Sequence, residues 1–234
     1  MIPQGIDISG VQPPACMHWD RIKAAGIQFV IVKSHEGGLY LDGAFKQHVQ
    51  NLQAAEMLYG SYIYFWGSIE PTEATIQVWA QDLADAEVQF VALDVEIPSP
   101  GTARSEYSFW WKPGLNGKDV LRTENLPLLQ ERVVKTRELL MQATGRKLLL
   151  YTGIPAWQAL SLHATPFNDD DLWWAQYWDK PTLAPKTPLI HQFSGSGFVD
   201  GVCDASGHSI YVDLNHTDLS LDEFTAWANN TLTT

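Results

Sequence analysis

The stretch FVALDVEIPSP, residues 90–100, runs five apolar residues among its first seven up to two carboxylates, Asp94 and Glu96, and then breaks on Pro98 and Pro100. A short apolar run bounded by prolines reads as a buried strand. Ending such a strand in paired acids asks for a chemical reason, because charge is costly to bury. Upstream, GIDIS (5–9), QFVIVKS (28–34) and LYGSYIYFW (58–66) are strand-like, and helical periods fall between them at Trp19 to Ala25, Gly43 to Glu56 and Thr72 to Ala86. The pattern β-α-β-α-β-α-β is that of parallel strands joined by crossover helices.

Downstream, residues 97–124 hold Pro, Gly, Ser and Asn around an aromatic knot, YSFWW (107–111), and read as a long irregular loop. A helix from Leu126 to Ala143 stops at Gly145, and RKLLLYTG (146–153) is the fifth strand. A short helix near Ala156 to Leu160 follows, then DLWWAQYW (171–178), PLIHQF (188–193), SIYVDLN (209–215) and a closing helix, Leu221 to Asn229. Eight strands with helices between the first five predict an α/β fold of the (β/α)₈ barrel type, irregular and helix-poor in its last third. A doubly wound open sheet is the alternative, but no Gly-rich phosphate loop follows the first strand. No linker or internal repeat divides the chain, so residues 1–234 are expected to form a single domain.

Composition narrows the function. A formal net charge of −12 argues against nucleic-acid binding, which depends on cations that neutralise phosphates. The N-terminus MIPQGIDISG has neither a basic nor an apolar signal-peptide region, and no run spans a membrane. Synthesis in the cytoplasm without a signal peptide is therefore expected, with no membrane insertion. Ten Trp, eight Tyr and nine Phe exceed what a core needs, and such a surplus lines sugar-binding clefts as well as cores. Cys16 and Cys203 could meet if the chain's ends do, although two inert thiols are the expectation.

Active sites of parallel barrels lie at the C-terminal ends of the strands. Asp7 sits in GIDIS, Asp94 and Glu96 in ALDVE, and Asp213 in YVDLN. Period-two alternation points Asp94 and Glu96 to one side of their strand, roughly 6.5–7 Å apart. Acids crowded in a cleft raise one another's proton affinity, which leaves a proton available to a general acid, and glycoside hydrolysis uses such a pair. Acid-rich barrel mouths also bind divalent cations, and a single Asp at a strand end can simply cap the next helix. The sequence has no H-E-x-x-H, C-x-x-C or G-x-S-x-G, and the seven His show no metal-ligand spacing, so no metal and no cofactor are expected.

These segments in this order resemble the family 25 glycoside hydrolases, the lysozymes of fungi, streptomycetes and many phages. GIDISGVQ is similar to the family's G-x-D-x-S-x-x-Q, WDRIKAAGIQFVIVKSHEG to its D-W-x-x-x-K-x-x-G-x-x-F-x-x-x-K-x-x-E-G, and YGSYIYF to its G-x-Y-x-F. ALDVE, LLLYTG, LWWAQY and HQFSGSGFVDGV followed by YVDLN extend the match over nearly the whole chain. The resemblance implies a β-1,4-N-acetylmuramidase that cuts peptidoglycan, with Glu96 as general acid and Asp94 as its electrostatic or base partner. Asp7 and Asp213 would complete the acidic floor; Asp200 and Asp204, close by in sequence, stand as alternatives to Asp213. Tyr62 is expected beside the scissile sugar, and Tyr64, Trp66, Tyr151, Trp174, Gln176, Tyr177 and Gln192 with it along the substrate.

The chain departs from the family pattern at Val11, His35 and His191, and in the length of the 97–124 segment, whose aromatic knot would add a wall to the cleft. Bacterial peptidoglycan is the expected partner of a monomer acting on the cell wall, as a phage lysin released through a pore or as a secreted enzyme. The rivals are a glycan-binding barrel without catalysis and a metal-dependent glycan hydrolase or deacetylase, which chelation would silence.

Overall fold

The computed structural model describes residues 2–99, 102–114, 117–177 and 180–229. Eight strands close into a barrel: β1 (Gln4–Ile8), β2 (Ile27–Glu36), β4 (Leu58–Tyr64), β5 (Val91–Asp94), β8 (Leu148–Gly153), β9 (Asp171–Ala175), β10 (Ile190–Gly197) and β11 (Val212–His216), which returns to β1. The first seven run parallel, and β11 is antiparallel to both neighbours. This reversal is the main departure from the all-parallel barrel read from the strand pattern. It also means that Asp213 stands near the start of its strand, not the end, and still reaches the same mouth as Asp7 and Asp94. The two-residue β3 (Tyr40–Leu41) pairs on the outer end of β2.

Helices α1 (Trp19–Ala24), α2 (Phe45–Ala54), α3 (Glu73–Asp85), α5 (Leu126–Thr144) and the short α6 (Ile154–Ala159) cover the first part of the barrel. Their ends follow local chemistry. Thr72 caps α3 by accepting from Thr75 N, and α5 stops where Gly145 takes φ 63°, a left-handed conformation that costs a residue without a Cβ least. Among the described residues no α-helix lies between β9 and β11, so the last third is helix-poor as expected.

The segment 97–124 is more ordered than its composition predicts. It contains α4 (Arg104–Trp110) and a hairpin of β6 (Trp111–Pro113) with β7 (Asp119–Leu121). Glu106, buried on α4, accepts from the backbone of Gly67 and Ser68 and from Trp110 Nε1, at 2.8, 2.9 and 2.7 Å. A tertiary tie between a carboxylate and a loop 39 residues away leaves no local periodic signal, which is why the sequence reads there as a loop.

Inside the barrel the residues grow more polar from bottom to top. The closing helix α7 (Leu221–Ala228), started by a Ser220–Glu223 capping box, plugs the bottom, where Phe224 meets Phe29 at 4.9 Å and Phe90 at 5.6 Å between ring centroids. Gly5 and Gly60 give those rings room, since a Cβ would lie 2.3 Å from Phe29 and 2.4 Å from Phe90. Ile31, Ala92, Leu149 and Ile190 continue the fill. Above them come Tyr62, Tyr151 and Trp173, and then the acids. Cys16 and Cys203 flank the Met17–Val202 bridge, so the chain's ends do meet there; both thiols are free, and Cys203 Sγ donates to the Cys16 carbonyl. No helix among the described residues is long and apolar enough to cross a membrane.

Candidate active site

The mouth of the barrel holds a cavity of about 210 Å³ lined by Asp7, Asp94, Glu96 and Asp213, by Tyr62, Tyr64 and Tyr151, and by Lys33, Trp173 and Gln192. Each residue arrives by alternation along its strand. Asp7 follows Gly5 on the inner face of β1, Tyr62 and Tyr64 alternate on β4, and β5 ends at Asp94. Glu96 lies two residues past the end of β5, where the chain already turns toward Pro98, and it too faces the cavity.

Asp7 and Asp213 stand opposite each other across the β1–β11 seam. Asp7 Oδ2 accepts from Gln192 Nε2 at 3.0 Å and from Asn215 Nδ2 at 2.8 Å. Burial pushes the Asp7 carboxyl well up and the Asp213 charge adds to it, while a hydrogen bond from Asp7 opposes the rise that burial imposes on Asp213. Both carboxyls are therefore raised above their usual range, and the two titrate as a pair. Asn215 also accepts from Trp173 Nε1 at 2.7 Å, which locks its amide in the orientation that donates to Asp7.

Asp94 is provided for differently. It is 6% exposed, and its Oδ1 has no hydrogen-bond partner among the described residues. Burial raises its proton affinity well above the usual carboxylate range, the charges of Glu96, Asp7 and Asp213 raise it further, and Lys33 opposes them. Glu96 is raised as well, by burial and by Asp213, against the Tyr151 hydroxyl and Lys33, which favour its ionised form. Lys33 is paired with Glu36 and sits 5.5 Å from the Tyr64 ring centroid. Tyr177 reaches Gln192 Oε1 at 3.1 Å and Tyr151 reaches it at 2.8 Å, so the one Tyr151 proton is given either to that amide oxygen or to Glu96. Burial and the surrounding carboxylates push the Tyr177 hydroxyl up to about 12 and those of Tyr62 and Tyr151 well above the ordinary value. The phenols thus stay neutral donors.

Chemically, this is a desolvated pocket whose carboxyls hold protons more tightly than exposed ones do, with an open acceptor at Asp94. Of the residues singled out from sequence, Trp66, Trp174 and Gln176 are placed elsewhere. Trp174 is fully buried behind β9, 6.1 Å from Trp157, and its strand neighbour Trp173 faces the cavity. Gln176 holds its own turn, donating to Lys180 O and accepting from Leu183 N. Trp66 closes over Gly37, whose Cβ would come within 2.9 Å of the indole. Asp200 pairs with Arg21 on the surface, and Asp204 accepts from Ser206 N and His208 N in a turn, so neither lines the cavity. His191 lies on β10 beside the inward Gln192, its Nε2 2.7 Å from the Gln176 carbonyl. His35 is buried against Asp82, and Val11 is exposed.

Lys33, Trp173 and Asn215 were not singled out from sequence. Lys33 carries a signal, a lone cation at the end of a buried strand; Trp173 and Asn215 need the strand phase and the β11 reversal.

The family model described as glycosyl hydrolases family 25 matches residues 6–202. Lysozyme M1 of Streptomyces globisporus is 26% identical over 236 residues, covering 97% of this chain and 72% of that protein. The bacterial lysozyme of Streptomyces coelicolor superposes with a TM-score of 0.70 at 22% identity, covering 99% of each chain. The catalytic domain of endolysin ply40 from Listeria bacteriophage P40 gives 0.66 at 22% identity, with 98% of each chain covered.

Proposed function

The chain belongs to the glycosyl hydrolases of family 25, and from that premise we propose that it is a lysozyme, cleaving the β-1,4 bond between N-acetylmuramic acid and N-acetylglucosamine in bacterial peptidoglycan. The observation that carries the reading is the convergence of four carboxylates in one small cavity, two of them, Asp94 and Glu96, only partly provided with donors.

Glu96 is the general acid. Its raised proton affinity keeps a proton in reach of the glycosidic oxygen, and Tyr151, which favours the ionised form, is placed to stabilise the carboxylate left behind. Asp94 is the base or electrostatic partner: its unpartnered Oδ1 accepts a hydrogen bond from a water or from the acetamido N–H of the bound sugar. Asp7 and Asp213 add negative charge beneath a cationic transition state. Tyr62, Tyr64, Tyr151, Tyr177 and Gln192 bound the sugar. The enzyme acts on the cell wall as a monomer, as a phage lysin or a secreted enzyme.

The test is digestion of purified peptidoglycan, borohydride reduction of the fragments and mass spectrometry, with Glu96→Gln alongside. New ends at reduced N-acetylmuramic acid, absent with Glu96→Gln, are expected. No new reducing ends from several wall types would turn the reading to a glycan-binding barrel, and loss of activity on chelation would turn it to metal-dependent hydrolysis.

A further inference from the structure

The segment that follows β1 meets the segment that precedes β11, and each carries a thiol. After β1 the chain passes through a single 3₁₀ turn, Pro14–Cys16, to Met17; between β10 and β11 it passes through Val199, Val202 and Cys203. Met17 and Val202 are both buried and pair as an antiparallel bridge, and His18 N donates to Gly201 O at 2.9 Å on one side of it. One step along the same register in the other direction, Cys16 faces Cys203.

That register sets the spacing. Opposed residues of an antiparallel pair have Cα atoms roughly 4.5–5.5 Å apart, within the roughly 4.4–6.8 Å that a disulfide spans. The side chains agree with the backbone: Cys203 Sγ donates to the Cys16 carbonyl, so it already aims at its partner residue. Burial raises the proton affinity of the Cys203 thiol, and the neighbouring Cys16 thiol adds to the rise. Both thiols are free, Cys16 half-buried and Cys203 buried.

We propose that Cys16 and Cys203 are a cross-linking site, closed to a disulfide by a small-molecule disulfide of the glutathione type in the oxidising surroundings of the cell wall. The more accessible Cys16, as thiolate, attacks one sulfur of the small disulfide, whose S–S bond breaks and releases one small thiol carrying the proton that Cys16 gave up. The Cys203 thiolate then attacks the Cys16 sulfur of the mixed disulfide, and the second small thiol leaves with the second proton. Two protein thiols are oxidised and one small disulfide is reduced to two thiols. The first bond needs access and the second needs only proximity, which sets the order.

The place of the bond gives it a consequence. The ring it closes joins residues 187 apart and takes in β2 to β10, so β1 with Asp7 and β11 with Asp213 lie on the two tails outside the ring. Those tails are held together by the β1–β11 ladder and by Gln12 Nε2, which donates to Tyr211 O at 3.4 Å. When the tails part, the barrel opens at the seam that carries two of its four acids. A cross-link between residues so distant in sequence restricts the unfolded chain strongly, and it keeps the tails adjacent whenever the ladder between them breaks. The disulfide thus braces the acid seam.

The experiment incubates the full chain with oxidised glutathione or with dithiothreitol, and then reads intact mass, unreduced peptide maps and thermal melts. The oxidised protein should lose the mass of two hydrogens, yield one pair of peptides joined through Cys16 and Cys203, and melt about 10 °C above the reduced protein. Cys16→Ala should abolish the joined peptides and the difference in melting temperature. Cys203→Ala, which also removes a buried sulfur, should do the same from a lower starting point. A protein that keeps both thiols free, or that ends with glutathione on each of them, would overturn the inference, as would a cross-link that leaves the melting temperature unchanged. None of these readouts needs a substrate, so a failure to cleave peptidoglycan would sink the functional reading and leave this one standing.

Discussion

Two carboxylate pairs meet at the mouth of this barrel, and they are built in opposite ways. Asp7 and Asp213 come from strands that are neighbours in space but 206 residues apart in sequence, and side-chain amides from Gln192 and Asn215 satisfy Asp7. Asp94 and Glu96 come from one short segment, and Asp94 is left with a buried oxygen lacking a partner among the described residues. A buried polar atom without a partner is costly, and such atoms persist where function needs them. The satisfied pair is held in place by neighbouring amides. The other pair keeps an open acceptor at Asp94.

If this contrast is right, the pairs should respond differently to substitution. The largest effect is expected at Glu96: Glu96→Gln keeps the shape and removes the proton donor, and kcat on peptidoglycan should fall about 10³-fold while glycan binding survives. Near-normal turnover would mean that the acid lies elsewhere. Asp94→Asn should lower the rate about 10²-fold and at the same time stabilise the fold at neutral pH. The sign follows from linkage. A carboxyl whose affinity is raised in the folded state gives stability that is complete below its unfolded value and is lost as pH rises through its folded one. Removing Asp94 should flatten that decline, and thermal melts from pH 4 to pH 8 would show it.

At the seam pair the expectation is a difference between two substitutions of one residue. Asp7→Asn offers the same shape as the protonated acid, an oxygen for Gln192 and Asn215 and an N–H for Asp213, so its melting temperature should stay near the wild-type value. Asp7→Ala strands two buried donors at about 1–3 kcal/mol each, a drop of several degrees for a chain this size. Equal melting temperatures would show that the amides find other acceptors and that Asp7 is not what holds them. The smallest effect is at the link between the pairs. Tyr151→Phe removes a hydrogen bond that lowers the proton affinity of Glu96, so the alkaline limb of the pH–rate profile, where Glu96 loses its proton, should move to higher pH with a few-fold loss of rate. A limb that stays put would place Tyr151 outside the acid's control.

The legibility of these features tracked their distance along the chain. ALDVE announced its acids because strand period and residue type sit within five residues, and Gly145 announced the end of α5 for the same reason. Trp174 and Trp173 could not be ranked from sequence, since an aromatic pair on a strand puts one ring on each face and only the closed sheet says which face is inside. Gln176 looked like a ligand for sugar and proved to hold a turn. Asn215 was hidden by the antiparallel β11, and the hairpin of residues 111–121 by a buried tie from Glu106 to another loop.

By itself the sequence determined the alternation of strands and helices, the eight strands, the acidic mouth and the family, because each rests on local period or on ordered short motifs. Only the tertiary structure decided that the last strand reverses, that Asp7 and Asp213 face each other across the seam, that Lys33 and Trp173 face the acids, and that Glu96 lines both a charged cavity and a carbon-lined groove. Those facts depend on which backbone surfaces meet across the closed barrel, and contacts between residues nearly the whole chain apart leave no trace in any local window.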